Sequence, residues 1–235
     1  MSNTQQSEDI REEENAFARL VAQYLPDTYT EGQYYEIGKY VKQTLQAQGQ
    51  LNADYLSQDQ LETFAKNNGY KYEKTEGTNY IFTSLADEKT QMTLSQEDAA
   101  LSYYTQQILN NNEKIQEAAD KYNEAIQGYT EKGLSKADAE EYYKYTRDPS
   151  KGLDNLTVGA INALVESKDL DSTYAIDTKG LNLDNLKLSE YKQFDSPAFD
   201  IIKDQFTGSI PQYQGIIQLM NTLGKSSNNV IGDLK

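Results

Sequence analysis

The side chains that could carry out chemistry in this sequence are carboxylates and phenols. The chain has 37 Asp and Glu residues and 19 tyrosines, but no histidine and no cysteine. This composition excludes imidazole relays, histidine-based triads, thiol nucleophiles and thiolate metal sites. A carboxylate pair, as in glycoside hydrolases, is the catalytic arrangement that it leaves open. Because so many acids form pairs by chance, we predict no catalytic residue and a protein that is not an enzyme.

The segment DLDSTYAIDTKG, residues 169–180, spaces oxygen ligands roughly as a calcium loop does. Asp169, Asp171, Thr173 and Asp177 could supply oxygens, but the central glycine and closing glutamate of an EF-hand are missing. The sequence also lacks a Walker-type glycine loop and a dinucleotide fingerprint. We therefore predict a polar loop at this point, no metal ion and no cofactor.

The net charge of −15 and the distribution of bases restrict the partners. Lys and Arg form no cluster of the kind that neutralises phosphates, so we expect no direct nucleic-acid binding. No apolar run is long enough to span a membrane. The acidic start, MSNTQQSEDIREEE, has neither the basic nor the apolar region of a signal peptide. We expect a soluble cytoplasmic chain that could enter a virion or be exported by a dedicated machine.

Apolar residues recur in sevens between residues 101 and 129, and we call this set the seam. Its a-type positions are Leu101, Ile108, Ile115, Tyr122 and Tyr129. Its d-type positions are Tyr104, Asn111, Ala118 and Ala125. This spacing predicts one helix of about 33 residues, from Ser95 to Gln127, with an interaction face along the seam.

Two alternatives could cover the seam. The helix after Ser135 could fold back across the turn between Gly128 and Gly133, with the C-terminal helices completing the cover. A second subunit could cover it instead, wholly or in part. The sequence leaves both alternatives open.

The remaining local signals are helix starts and one hairpin. Helices are predicted over residues 8–25 and after Thr30, although Gly32 and Gly38 weaken the second assignment. Three more begin at Leu-Ser pairs with a polar residue three positions after the serine, which resembles the capping box; the serines are Ser57, Ser95 and Ser135. A β-hairpin is predicted at about 70–84. The quartet Leu-Asp-Asn-Leu occurs at Leu153 and at Leu183, which is too short to establish a repeat.

Together these signals predict a mainly α protein, an elongated helical bundle with one long central helix and a small β-hairpin. We expect an N-terminal helical region with the hairpin at 1–93, a long-helix hairpin at 94–148 and a C-terminal helical region at 149–235. The last region should contain a short helix at 158–168 and further helices after Ser196 and at Tyr213.

Tyrosines in doublets are the second candidate interface, because tyrosine is enriched at protein contacts. The alternative is packing at the edge of the core. The candidates are Tyr34, Tyr35, Tyr103, Tyr142, Tyr143 and Tyr145.

These observations favour a non-enzymatic structural or assembly subunit that acts through protein–protein contacts. Our first hypothesis is a bacteriophage virion component, internal, connector or scaffold-like. The second is an exported filament or tip protein of a bacterial secretion machine. The third is an acidic inhibitor or binding module that engages a basic protein. In every case the expected partners are proteins, in a homo-oligomer or a larger assembly.

Overall fold

The structure is a computed structural model that describes residues 3–75, 77–178 and 183–194, with side chains described from residue 11 to residue 192 of these ranges. The helices predicted after Ser196 and at Tyr213 lie outside them. The described helices are α1 (Asn3–Ala22), α2 (Glu31–Ala47), α3 (Gln58–Asn67), α4 (Gln96–Leu109), α5 (Asn112–Glu131), α6 (Lys136–Arg147), α7 (Val158–Glu166) and α8 (Leu188–Phe194). The strands are β1 (Tyr70–Lys74), β2 (Asn79–Ser84) and β3 (Gln91–Ser95).

The chain divides into two compact units, Met1–Ala125 (unit 1) and Ile126–Lys235 (unit 2), with the boundary inside α5. The three regions predicted from sequence are a different division and stay a prediction. None of the described helices combines the length and the apolar character that crossing a bilayer requires.

The prediction of a single helix from Ser95 to Gln127 is wrong, because α4 ends at Leu109 and α5 begins at Asn112. Three consecutive asparagines, residues 110–112, occupy the break. The Asn111 side chain accepts a hydrogen bond from the Lys114 N–H at 3.2 Å, as the cap of a new helix does. Asparagine competes with the helix for backbone hydrogen bonds, which favours a cap over a helix interior. The mainly α class and the hairpin are confirmed, but the long central helix and the bundle around it are not.

The predicted serine caps are all present. Ser57 caps α3 in a reciprocal box, in which Gln60 accepts from the Ser57 N–H at 2.9 Å. Ser95 and Ser135 also accept from the backbone N–H three residues on. Their aspartate partners are shorter than glutamine and instead accept the serine hydroxyl, at 2.7 and 2.6 Å. The three serines therefore fix the starts of α3, α4 and α6.

The sheet of unit 1 is antiparallel in the order β1-β2-β3. Tyr70 lies opposite Ser84 and Asn79 lies opposite Ser95, so the hairpin predicted at about 70–84 is β1 with β2. The third strand escapes a sequence prediction because it runs directly into the Ser95 cap of α4. One face of the sheet packs on α3, where the rings of Phe64 and Phe82 meet edge to face at 5.3 Å.

The two glycines of α2 mark close approaches rather than weak points of the helix. A Cβ on Gly38 would lie 2.6 Å from the Ala18 nitrogen and 2.8 Å from the Phe17 carbonyl carbon. A Cβ on Gly32 would overlap the ring of Tyr122. The backbones of α1 and α2 therefore touch at Gly38, and an aromatic ring of α5 rests on Gly32.

The two Leu-Asp-Asn-Leu quartets form one paired motif in unit 2. Each is followed by a residue of an antiparallel bridge, Thr157 or Lys187, and then by a helix, α7 or α8. Four backbone hydrogen bonds of 2.8–3.1 Å join the two copies, and each copy donates two of them. They run from Val158 N–H to Leu186 C=O, Leu188 N–H to Leu156 C=O, Gly159 N–H to Asp184 C=O and Ser189 N–H to Asp154 C=O. The quartets are therefore a structural repeat, with the first turn of each helix bonded to the other copy.

Asp138 joins the N-termini of α6 and α7. Its carboxylate is 6% exposed and accepts hydrogen bonds from the Ser135 hydroxyl at 2.6 Å, the Thr157 N–H at 2.9 Å and the Thr157 hydroxyl at 3.1 Å. Thr157 in turn caps α7 through the Ala160 N–H. A buried carboxylate held by three donors is satisfied, whereas its removal would leave those donors without an acceptor.

The Asp138→Ala variant is expected to destabilise unit 2 by about 2–3 kcal/mol, because a buried N–H loses its acceptor and the α6 cap loses its support. Urea unfolding followed by circular dichroism measures this loss. Asp98→Ala is the matched control, since Asp98 makes the same contact with its cap serine but is exposed. It should cost roughly 1 kcal/mol or less. Equal losses in the two variants would contradict a role for Asp138 between helices.

Candidate protein–protein interface

The first half of the seam lies inside the core of unit 1. Ile108, Ile115 and Ala118 are at most 8% exposed and pack against α1 and α2. The residues they meet are Phe17, Val21, Ile37, Val41 and Leu45. Leu101 and Tyr104 are half-buried at the edge of the same cluster. The cover of this part of the seam is therefore the N-terminal helices of the same chain, an alternative that the sequence does not single out.

The remaining seam residues of unit 1, Asn111, Tyr122 and Ala125, differ in their surroundings. Asn111 is exposed and caps α5, so it does not pack as a d-type residue. Tyr122 is half-buried against Gly32 of α2, and Ala125 is half-buried. The heptad pattern is thus continuous in the sequence, but it is divided between two helices in the structure.

The last seam residue lies in unit 2 and meets the next helix. The ring of Tyr129 contacts the ring of Tyr142 of α6 edge to face, with centroids 4.9 Å apart. The turn between them ends at Gly133, as predicted, but α5 continues to Glu131, so Gly128 lies inside the helix and does not begin the turn. Leu134 after the turn is buried. At this end of the seam the contact agrees with the alternative in which the helix after Ser135 folds back.

The three candidate tyrosines of unit 1 differ in exposure. Tyr35 is 6% exposed and donates its hydroxyl to the Glu14 carboxylate. Tyr34 is half-buried and donates to the Pro26 carbonyl at 2.7 Å, which ties the start of α2 to the preceding turn. Tyr103 is half-buried with its ring 5.2 Å from that of Tyr104. Tyr35 is thus a core residue, while Tyr34 and Tyr103 retain exposed ring surface.

The three candidate tyrosines of unit 2 belong to a cluster on α6. Tyr142 and Tyr143 are at most 5% exposed, and the Tyr142 hydroxyl donates to the Asp169 carbonyl at 3.0 Å. Tyr145 is half-buried and stacks on Tyr142 with ring centroids 5.9 Å apart. Burial, and then the neighbouring Tyr129 and Asp169, raise the pKa of Tyr142 to about 12. Tyr142 and Tyr143 therefore serve the core of unit 2.

The raised pKa of Tyr142 predicts a specific loss of stability in alkali. The neutral phenol is favoured in the fold, so this contribution is complete below pH 10, the value for an ordinary tyrosine, and is lost as pH rises to about 12. An ultraviolet difference titration of the native chain against Tyr142→Phe should show one phenol ionising near pH 12. The same comparison in urea should place it near 10.0. A native difference centred near 10 would contradict the buried environment.

The loop considered for calcium makes other contacts. Both carboxylate oxygens of Asp169 accept from the Lys132 ammonium at 2.7 Å. Asp171 accepts from the Thr173 N–H at 2.9 Å and caps a short 3-10 turn. In the described part of the chain, no group of three or more carboxylates is placed to hold a metal ion.

One edge of the sheet in unit 1 carries backbone groups that face away from the neighbouring strand β2. The Thr75 N–H donates to the Asn79 carbonyl at 3.1 Å, so Thr75 and the alternate residues before it face β2. The intervening residues of an antiparallel strand direct their N–H and C=O groups to the other side. These residues are Tyr70, Tyr72 and Lys74. Across the described ranges the strand order is β1-β2-β3, and β1 is the edge.

The face of the sheet opposite α3 carries exposed polar side chains on its two outer strands. Lys71 and Glu73 of β1 and Gln91 and Thr93 of β3 are exposed on it. The most exposed large apolar side chains of the described residues are Tyr55 (69%), Leu85 (65%) and Tyr174 (45%). The sequence prediction did not include the β1 edge. Its signal was the alternation Tyr-Lys-Tyr-Glu-Lys, which marks the strand but does not show whether it is central or at an edge.

Comparisons with protein-family models, with curated proteins and with solved structures found no match to this chain.

Proposed function

We propose that this chain is a non-enzymatic assembly subunit that acts through protein–protein contacts, and that it is an internal, connector or scaffold-like component of a bacteriophage virion. The observation that carries the proposal is the outer edge of β1, which offers backbone donors and acceptors to another chain. Such edges are templates for pairing with a partner strand. The half-buried Tyr34 and Tyr103 and the exposed Tyr55 and Leu85 add aromatic and apolar surface on the same unit.

The choice of a virion component rests on composition. The chain is acidic and mostly helical, and it lacks the histidine and cysteine that most catalytic and metal sites use. The seam contributes less to this proposal than the sequence suggests, because its first half is packed inside unit 1. The same composition would also fit a filament or tip protein of a secretion machine. The flanking genes distinguish the two, since virion genes and secretion genes each lie in groups.

Light scattering of the purified chain across a range of concentrations, together with capture of proteins from the source cells, tests the assembly role. We expect the mass to rise with concentration, or a defined partner to be retained in stoichiometric amount. A chain that stays monomeric at high concentration and retains no protein would overturn the proposal.

The acidic binding module is the second candidate, and the net charge of −15 favours it. Partner binding that is driven by this charge should weaken steeply as salt rises, because exposed charges are screened. Pairing through a strand edge depends mainly on backbone hydrogen bonds and should depend on salt much less. The salt dependence of the captured complex therefore separates the two candidates.

A further inference from the structure

We propose that β1 pairs with β1 of a second copy of this chain, antiparallel about a two-fold axis at Tyr72, so that the two sheets become one. The inference rests on the proposed function and names the partner and the contact surface. Three observations carry it: the hydrogen-bonding register of β1, the charges on its exposed face, and the contrast with the other edge of the sheet.

The register of β1 provides the hydrogen-bonding pattern that this pairing requires. In the proposed dimer Tyr72 lies opposite Tyr72 of the second copy, and Tyr70 lies opposite its Lys74. These are the residues whose N–H and C=O groups face away from β2, as the Thr75–Asn79 hydrogen bond fixes. Antiparallel strands exchange both hydrogen bonds at such positions. All the outward groups of the five-residue strand therefore find partners at once.

The exposed face of β1 is complementary to itself. With Tyr72 on the axis, Lys71 lies directly opposite Glu73 of the second copy, and Glu73 lies opposite its Lys71. Both side chains are exposed on the face away from α3. Directly opposed charges of opposite sign stabilise an antiparallel pair, while like charges destabilise it. A shift of the register by two residues would place Lys71 opposite Lys71, or Glu73 opposite Glu73, of the second copy. Because such like charges repel, the charges also specify the alignment.

Existing contacts do not hold these side chains away from the edge. Lys71 has an ion pair with Glu88 at 3.1 Å, but the two side chains are 50% and 82% exposed. Exposed ion pairs of this kind contribute little, so Lys71 can turn to a partner strand. Glu73 makes no ion pair among the described residues.

The other edge of the sheet lacks these properties. β3, with the sequence Gln-Met-Thr-Leu-Ser, has no charged residue that could select an alignment. Its last residue, Ser95, is already committed to the cap of α4. Pairing of β1 with β3 of another copy would also be head-to-tail and would give a ring or an open chain of copies. Pairing of β1 with itself closes at two copies and uses the same patch twice.

A charge exchange tests the proposal in the full-length chain. Sedimentation velocity should show a monomer–dimer equilibrium for the natural sequence. Lys71→Glu and Glu73→Lys should each weaken the dimer roughly ten-fold or more, because each places two pairs of like charges across the axis. The double variant, Lys71→Glu with Glu73→Lys, restores opposite charges and should recover the natural dissociation constant to within about three-fold. Lys89→Glu, in the exposed turn between β2 and β3, is the control for net charge and should leave it unchanged.

The outcomes separate this inference from the proposed function. Recovery in the double variant supports the β1 pairing, since a structural defect would not be repaired by a second charge change. Association that is indifferent to both single variants overturns the β1 pairing but leaves an assembly role in place. An open series of higher oligomers also overturns the β1 pairing and leaves an assembly role in place. The same conclusion follows if the natural chain captures another protein while remaining monomeric. A chain that neither self-associates nor retains a partner overturns both.

Discussion

The Ile115→Asp variant is expected to prevent unit 1 from folding. Ile115 is 2% exposed and packs among the apolar residues that α1 and α2 contribute to the larger core of unit 1. An ionised carboxylate in this position has no partner, and burial of an unpaired charge costs several kcal/mol. The helical circular dichroism signal should fall, and the N-terminal half should become sensitive to protease.

Ile115→Ala gives a graded version of the same test. It should cost about 2–5 kcal/mol through lost burial and the cavity that remains. Gln116→Ala, at the exposed neighbouring position, should change the free energy of unfolding by no more than about 0.5 kcal/mol. If Ile115→Asp left the protein folded and only changed its association state, the seam would be an intermolecular surface and its place in the core would be wrong.

The Gly38→Ala variant should lose about 1–3 kcal/mol, although alanine is the better helix former. The added methyl would lie 2.6–2.9 Å from backbone atoms of Phe17 and Ala18, and backbone cannot move aside as a flexible side chain can. The helices α1 and α2 must therefore separate, which loosens the core between them.

Gly128→Ala is the control, because the same substitution should there raise the free energy of unfolding instead of lowering it. Gly128 lies within α5, and a Cβ there would meet nothing within 4 Å. The gain in helix propensity should stabilise the chain by about 0.5–1 kcal/mol. Thermal unfolding measures both variants, and a gain of stability in Gly38→Ala would contradict the contact between α1 and α2.

Local chemistry accounts for what could be predicted from the sequence. The caps at Ser57, Ser95 and Ser135 and the hairpin between Tyr70 and Ser84 each depend on residues a few positions apart. A serine and its partner three residues on satisfy the first N–H groups of a helix wherever that helix lies in the fold. Such signals need no knowledge of the tertiary structure.

Tertiary pairing accounts for what could not be predicted. The heptads show that Ile108 and Ile115 need a cover, but any apolar helix satisfies that need, and here it is α1 with α2. From the sequence alone Gly38 only lowers the helix propensity of α2, because propensity describes an isolated helix. Its role becomes clear only from the contact with α1. The open edge of β1 is likewise a property of the strand order, which depends on contacts beyond the hairpin itself.

The break at residues 110–112 could have been read from the sequence. Three asparagines in succession are poor helix formers and good caps, and that local cost outweighs a single d-type position in a heptad pattern. The start of α8 could also have been predicted from the sequence, because it follows a repeated quartet. The quartet at Leu153 is followed by a helix, and the quartet at Leu183 is followed by another.

The pairing of the two quartets sets an order for events during synthesis. The first copy leaves the ribosome before the second, so the N–H groups at the start of α7 must wait for the acceptors at Asp184 and Leu186. Until then the N–H groups of Val158 and Gly159 bond only to water, while the Thr157 side chain already caps the Ala160 N–H. The emerging chain therefore passes through a stage at which α7 is incompletely anchored. A ribosome that pauses between the quartets would lengthen that stage, and chaperones would have the most time to bind the chain there.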